Sequence, residues 1–282
     1  MVAAAGACRM KNAFVILATA VVMLARPASA QTNEPFSQWR IDASLPLQFG
    51  TNSLLTQTNS RSDLFVSPSA KLSALGDLDK TTSYSIYAAG NPDAYTRVVT
   101  ADDGVATFGG RIDQAQILGN FSAGAIYNHS LLFNGLYKSL LFQANDFSGY
   151  IGYTYENKAA GFSVVPSFMT TYRLADVAAQ DRFLFTLKAA ITQALSKSLS
   201  ITVTPTFRYY DFTDGTAAGK RNTLPSIVGA ITYKLNKDVS LSGSIEYDRR
   251  WSNRAGNNYE DLVFLASVNF AHAYDFHPNP AH

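Results

Sequence analysis

The sequence predicts an all-β fold: twelve antiparallel strands joined up-and-down into a closed barrel. Three observations predict it. Apolar and polar residues alternate over long runs, the runs number twelve, and the connections between them alternate between longer and shorter. Strict alternation gives a strand one apolar and one polar face.

The clearest pair of runs lies in Arg182–Phe212. Phe183, Phe185, Leu187, Ala189 and Ile191 alternate with Arg182, Thr186, Lys188, Ala190 and Thr192. After Ser196-Lys197-Ser198, Leu199, Ile201, Val203, Pro205, Phe207 and Tyr209 alternate with Ser200, Thr202, Thr204, Thr206, Arg208 and Tyr210. A short polar turn between two such runs makes them antiparallel neighbours. Each run holds about thirteen residues, whereas a strand of a globular protein has ~5–6 and a tilted strand crossing a bilayer needs ~9–11. An apolar face of that length suits a wall with hydrocarbon on one side and water on the other. The competing architecture is a large soluble sandwich, in which the apolar rows would face each other.

The remaining elements follow in order. Trp39–Phe49 is the first strand and 50–63 a polar loop; Leu64–Leu75 is the second, ended by Gly76–Lys80. Thr81–Gly90 is the third, followed by a loop rich in Asp, Gly and Pro over 91–104. Val105–Ile117 is the fourth, its alternation slipping near Ile112–Ala115 as at a bulge. Phe121–Leu131 is the fifth, Leu132–Phe142 has no clear period, and Ala144–Tyr155 is the sixth. Phe162–Arg173 is the seventh, and the hairpin above supplies the eighth and ninth. Thr223–Leu235, Val239–Trp251 and Asp261–Phe270 complete the set. Longer connections are expected after odd-numbered strands and shorter ones after even-numbered strands, a parity that membrane barrels keep and sandwiches have no reason to keep. Pro46, Pro68, Pro166, Pro205 and Pro225 stand against this assignment, because each removes a ladder donor inside a predicted strand.

Residues 1–30 read as a secretory signal peptide: Arg9 and Lys11, the apolar run Ala13–Ala25, and Ala28-Ser29-Ala30 before Gln31. Residues 31–37 are then a leader, 38–270 the barrel and 271–282 a tail. The one cysteine, Cys8, falls in the signal. Arg9, Lys11 and Arg26 would leave with it, so 23 basic residues become 20 against 21 acidic ones. Such a balance gives no reason to expect a nucleic-acid partner.

The last predicted strand carries Leu262, Phe264, Ala266, Val268 and Phe270 on one face and ends on an aromatic. It resembles the terminal strand by which the barrel-assembly machinery of Gram-negative bacteria recognises outer-membrane proteins. The departure is the tail, within which Phe276 is a second candidate end. The resemblance is to a class, the twelve-stranded outer-membrane barrels, porin-like solute channels among them, and to no single family. It implies residence in the bacterial outer membrane among lipid and lipopolysaccharide, with both termini on the periplasmic side. Members of the class include channels for acidic sugars, a nucleoside channel, autotransporter pores and a phospholipase.

With apolar faces outward, the inner face carries Arg40, Lys71, Arg111, Arg173, Arg182, Lys188, Arg208, Lys234 and Arg250, against Asp42, Asp113, Asp146, Glu246 and Asp248. Charges lining a pore set the sign of the ions that enter it. Nine basic residues against five acidic ones lean toward anions, and the basic rows resemble those of the acidic-sugar channels. The candidate solute-binding residues are Lys71, Arg111, Lys188, Arg208, Asp113, Glu246 and Asp248, and the expected function is passive passage of small hydrophilic solutes. The alternative is a barrel filled by its own salt bridges, with a structural or surface-interaction role.

No enzyme is expected. A lipid-facing serine hydrolase needs its Ser and His on one face, and in Asn128-His129-Ser130 the two point to opposite faces. No cofactor or metal is expected either. Asp102-Asp103-Gly104 and Asp211–Gly215 are oxygen-rich, but Asp and Gly there suit turns, and no zinc or haem spacing is present. Trp39, Tyr127, Tyr155, Tyr172, Tyr209, Trp251 and Phe270 are expected in aromatic girdles at the two interfaces. Tyr210, on the inner face, could stack on a sugar ring.

Overall fold

The computed structural model describes residues 36–275, Asn59 apart. The strands are β1 (Gln38–Gly50), β2 (Asp63–Val66 continued by Ser69–Asp77), β3 (Thr82–Tyr95), β4 (Asp103–Gln114), β5 (Phe121–Asn134) and β6 (Ser139–Tyr153 continued by Tyr155–Asn157). Then come β7 (Phe162–Ala175), β8 (Arg182–Ala194), β9 (Leu199–Phe212), β10 (Arg221–Lys234), β11 (Val239–Ser252) and β12 (Tyr259–Asp275). Every strand pairs antiparallel with its neighbours in sequence, and β12 pairs back onto β1 from Gln38↔Asp275 to Gly50↔Val263. The result is a closed twelve-stranded barrel. Closure leaves no free sheet edge.

The alternation is the inverse of a soluble core. Leu45, Leu47, Phe185, Leu187, Ile227, Ile231, Ile245 and Val268 are exposed on the outer wall. Ser73, Ser130, Asp146, Thr171, Thr186, Asn222 and Ser267 are buried on the inner one. Leu187, for instance, is 56% exposed and its neighbour Thr186 8%. The apolar rows do not converge on a dry interior, so the sandwich is excluded. The outer wall is suited to hydrocarbon.

Several boundaries differ from those the sequence predicts. The fourth strand ends at Gln114 with unbroken register on both sides, so the apparent slip near Ile112 is the strand's end and not a bulge. The register shift lies instead at Leu132/Phe133, between β5 and β6. The unassigned segment 132–142 is mostly strand, and the expected long loop after the fifth strand is a tight turn over 135–138. There Leu136 and Tyr137 adopt positive φ of 55° and 68°. The third strand runs to Tyr95 and the last to Asp275, both beyond their predicted ends. The loop over 51–62 is the longest connection; the parity of lengths fails after β5 and blurs after β4, whose connection over 115–120 is as long as those after β7 and β11. The predicted signal peptide, most of the leader and residues 276–282, with Phe276, lie outside the described residues.

The prolines sit where one ladder opens locally. Between β8 and β9 the pairs run to Lys188↔Thr206 and resume at Ile191↔Val203, skipping Pro205. Between β10 and β11 they skip Pro225, from Thr223↔Trp251 to Ser226↔Asp248. Pro46 and Pro68 flank the break in β2, where Ser67 N–H still donates to Pro46 O at 3.3 Å. Pro166 faces the break at Thr154 in β6. The register is the same on both sides of each gap, so a missing donor opens the ladder without shifting it.

Four tight turns use one device, a side-chain oxygen accepting the backbone N–H groups ahead of it. Asp79, Asn157, Ser196 and Asn236 each do this. Asp79 is the most heavily engaged. It accepts the N–H groups of Thr81 (2.7 Å) and Thr82 (2.8 Å) and both their hydroxyls. The Thr81 N–H above all, and then the two hydroxyls, hold its carboxyl at about 2, against an ordinary 3.8. A lowered pKa means a contribution to turn stability that is full above pH 3.8 and lost as pH falls toward 2. Amide exchange at Thr81 and Thr82 should therefore accelerate across that window. Asp79→Asn should abolish the pH dependence, and equal acid sensitivity in the variant would count against the assignment.

Candidate functional site

All nine basic side chains expected inside lie on inner rows, as do Asp42, Asp113, Asp146, Glu246 and Asp248. Register fixes this: Asp42 opposes Lys71, Lys71 opposes Ala89, and the row continues through Thr107 and Ser130. The expected excess of cations does not survive, however. Asp63, Asp93, Asp103 and Asp261 are also on inner rows, so nine cations meet nine carboxylates, and Asp77 and Asp275 add to these at the short-turn edge. The four extra aspartates sit at strand ends that sequence reading placed in loops or left outside the tally.

The charges are segregated. At the long-loop end Asp63, Asp93 and Asp103 cluster on β2–β4, while Arg173, Arg182 and Arg250 occupy β7, β8 and β11. The segregation is incomplete, since Asp146 pairs with Arg173 and Asp261 stands on β12 beside β11.

Inner ion pairs stay against the wall. Arg40–Asp42 (2.7 Å) and Arg111–Asp113 (2.5 Å) are each within one strand, and Arg173–Asp146 (2.7 Å) joins adjacent strands. Among the described residues, no ion pair crosses the bore. Arg208 faces Glu246 and Asp248 without closing a pair within 4 Å, the three belonging to β9 and β11.

Two tyrosines tile the wall beside the bore. Tyr87 of β3 reaches across Gly109 of β4 to hydrogen-bond Asn128 of β5. Tyr150 of β6 crosses Gly124 of β5 to accept from Arg111 Nη2 at 2.9 Å. Only glycine leaves both rings where they lie. A Cβ on Gly109 would lie 2.6 Å from Tyr87 Cζ, and one on Gly124 2.5 Å from Tyr150 Cε1. Lys71 Nζ then stands 4.0 Å over the Tyr87 ring and Arg111 5.0 Å over that of Tyr150. The ring face adds to the attraction of the carboxylates already beside these cations, Asp42 opposite Lys71 and Asp113 paired with Arg111. Lys71 makes no ion pair among the described residues, and neither does Lys188 at the middle of β8. Strands two and eight of twelve are diametrically opposed, so the two lysines stand on opposite walls of the ring.

The first loop, 51–62, leans on the inner rim of β12. Asp261 Oδ1 accepts the Thr51 hydroxyl (2.9 Å) and the Asn52 N–H (2.7 Å), and Asn52 Nδ2 donates to Glu260 O (3.0 Å). The loop over 96–102 is likewise tied by Asp63, which accepts Thr96 Oγ1 and the N–H groups of Arg97 and Val98.

The aromatic residues expected in girdles all face outward. Trp39, Tyr155 and Phe270 ring the short-turn end, joined by Phe121, Tyr233 and Tyr274. Tyr172, Tyr209 and Trp251 ring the long-loop end with Phe183, which stacks on Tyr172 at 4.6 Å. Tyr127 is the exception, at mid-strand, where its hydroxyl donates to Asn145 Oδ1 at 2.8 Å beside His129 Nδ1 at 3.1 Å. Ser130 points inward to Thr107, away from His129. The Asp-rich segments straddle strand ends: Asp102 accepts Tyr95 N–H just before β4 begins at Asp103, and Asp214 accepts Gly215 N–H just after β9 ends at Phe212. Tyr210, inside the mouth, lies beneath the Arg182 guanidinium at 5.4 Å.

A family model described as "Putative beta-barrel porin 2" matches residues 180–272, the last third of the chain. No curated protein matches by sequence. Among solved structures, an outer membrane channel from Pseudomonas putida F1 superposes with a TM-score of 0.59 at 10% identity, covering 88% of this chain and 100% of that one. The β domain of the Bordetella autotransporter BrkA gives a TM-score of 0.49 at 11% identity, over 85% of this chain and 100% of that one. LpxR from Salmonella typhimurium gives 0.47 at 10%, over 83% and 99%. At such identities the likeness is one of fold, carried by the first of these. The chain is thus a twelve-stranded, porin-like β-barrel of the outer-membrane type.

Proposed function

We propose that this barrel is a pore in the outer membrane of a Gram-negative bacterium, passing small hydrophilic solutes with a bias toward anions. The observation that carries the reading is the pair Lys71 and Lys188. Neither makes an ion pair among the described residues, and they stand at mid-strand on opposed strands of the ring. The wall around them is rich in serine and threonine, including Ser44, Ser69, Thr192 and Thr202. Rings of charged side chains lining a pore set its selectivity. Arg111, by contrast, is held by Asp113 and Tyr150 and contributes less. The alternating last strand, through Phe270, is the segment that the barrel-assembly machinery would bind, and the two girdles would meet the headgroups of lipid and lipopolysaccharide.

Purified protein in a planar bilayer should give stable current steps, with a reversal potential in a salt gradient that favours anions. Lys71→Gln with Lys188→Gln should move that potential toward the cation side by on the order of 10 mV. An unchanged potential would remove the lysine pair from the account. A silent barrel would favour the second reading, a non-conducting barrel, which the loop held at the mouth by Asp261 supports.

A further inference from the structure

A cavity of about 470 Å³ opens inside the mouth, against the inner face of β8–β12. It is of ligand size, since small-molecule pockets span roughly 300–1,000 Å³. Its walls were in part legible as alternating strands, but its roof is made by two short turns, Ala178–Gln180 and Gly215–Ala217, that no periodicity announces.

Three cations line it and no carboxylate does. Arg182 lies 5.4 Å over both Tyr210 and Phe212, Lys220 5.0 Å over Phe212, and Arg250 4.3 Å over Tyr259. None of the three makes an ion pair among the described residues. Arg250 is nonetheless fixed, its Nε donating to Asn257 O at 2.7 Å. Lys220, in the loop before β10, has its pKa lowered by burial and by the nearby guanidinium groups of Arg250, Arg254 and Arg182. Positive charge is thus concentrated on a lining that holds no carboxylate, while Asp181, next to Arg182 in sequence, accepts the Ala175 N–H on its Oδ1.

A second, independent feature concerns Asn222. It lines the same cavity, it is 4% exposed, and its Oδ1 is buried with no hydrogen-bond partner among the described residues. A buried amide oxygen asks for a donor, an O–H or N–H. The three aromatic rings supply flat apolar surface beside it.

We propose that this cavity binds a small hydroxylated organic anion: a carboxylate on a flat ring, held by Arg182, Lys220 and Arg250, whose hydroxyl donates to Asn222 Oδ1. The inference rests on the mouth being open to solvent, as the pore reading has it, but it does not require passage through the bore.

The probes are 4-hydroxybenzoate, benzoate and 4-hydroxybenzamide, titrated calorimetrically into the full barrel folded in micelles. 4-Hydroxybenzoate should bind, and benzoate, which lacks the donor, and the neutral amide should each bind about tenfold more weakly. Lys220→Gln, at a half-buried position in the loop before β10 and outside every strand ladder, should weaken both anions and leave the amide unchanged. Asn222→Leu should make 4-hydroxybenzoate and benzoate equal. Undetectable binding of 4-hydroxybenzoate, or an unchanged preference in either variant, would overturn the site. Conductance measured on the same preparations separates the two readings. A silent barrel that binds sinks the pore alone, and a conducting barrel that does not bind sinks the site alone.

Discussion

Replacing Asp146 with alanine is expected to destabilise the barrel by about 3–5 kcal/mol, the largest effect of any single side chain on the inner wall. Asp146 grips Arg173 at two points, Oδ1 to Nε and Oδ2 to Nη2, both at 2.7 Å. The two side chains are only 12% and 19% exposed. Solvent therefore screens the pair weakly, and loss of the carboxylate strands a guanidinium in a half-dry site. The register adds a second penalty. Asp146 opposes Arg173, and Arg173 opposes Arg182 on the next strand, so two like charges are adjacent with one carboxylate to offset them. Without it the arginines repel. Asp146→Ala combined with Arg173→Leu should recover most of the loss, because no buried charge is then left alone. Urea midpoints of the folded protein in micelles test this. A single variant as stable as the parent would show that the pair contributes no net stability.

Gly109→Val is expected to narrow the bore and lower single-channel conductance by about half. The position has no room: a Cβ there meets the Tyr87 ring at 2.6 Å and also the Asn128 oxygen. Both neighbours are side chains, so the cheapest relief is rotation of Tyr87 off the wall, at a cost in stability of about 1–3 kcal/mol. The displaced ring swings into the lumen and takes with it the surface on which Lys71 stands. Adding Tyr87→Ala should restore conductance, since the obstruction is then gone. A Gly109→Val barrel with normal current steps would mean that the ring stays on the wall.

Much of this was legible in the residues alone. Rows such as Phe183–Ile191 and Leu199–Tyr209 fixed strand, face and pairing together, because a period of two leaves no freedom once one face must be apolar. All the inner charges named from those rows do face inward. What failed was at the ends. Asp63, Asp93, Asp103 and Asp261 sit where Gly, Pro and Asp blur the alternation, and their absence from the tally produced a false excess of cations. The segment around Leu136 misled for a related reason. Its turn does carry Asn134-Gly135, with Gly135 at positive φ, but Leu136 and Tyr137 follow in the same left-handed region, so the apolar residues after the glycine hide where the turn ends. The mouth cavity was out of reach, because Arg182, Lys220 and Arg250 are brought together by the register of neighbouring strands and by the turns above them, not by spacing in the sequence. The tyrosine tiles were hidden likewise, since they depend on which glycine lies across a neighbouring strand.

The mid-strand prolines have a consequence for the chain before it closes. Until β12 meets β1, every strand is in turn an exposed edge, long, regular and apolar on one side, which is the kind of segment that stacks with copies of itself. A proline near the middle of β1, β2, β7, β9 and β10 interrupts any foreign ladder that tries to run the whole length. The finished barrel loses a few internal donors by this arrangement, and its precursor gains protection against aggregation at the stage when it has no closed form to shelter in.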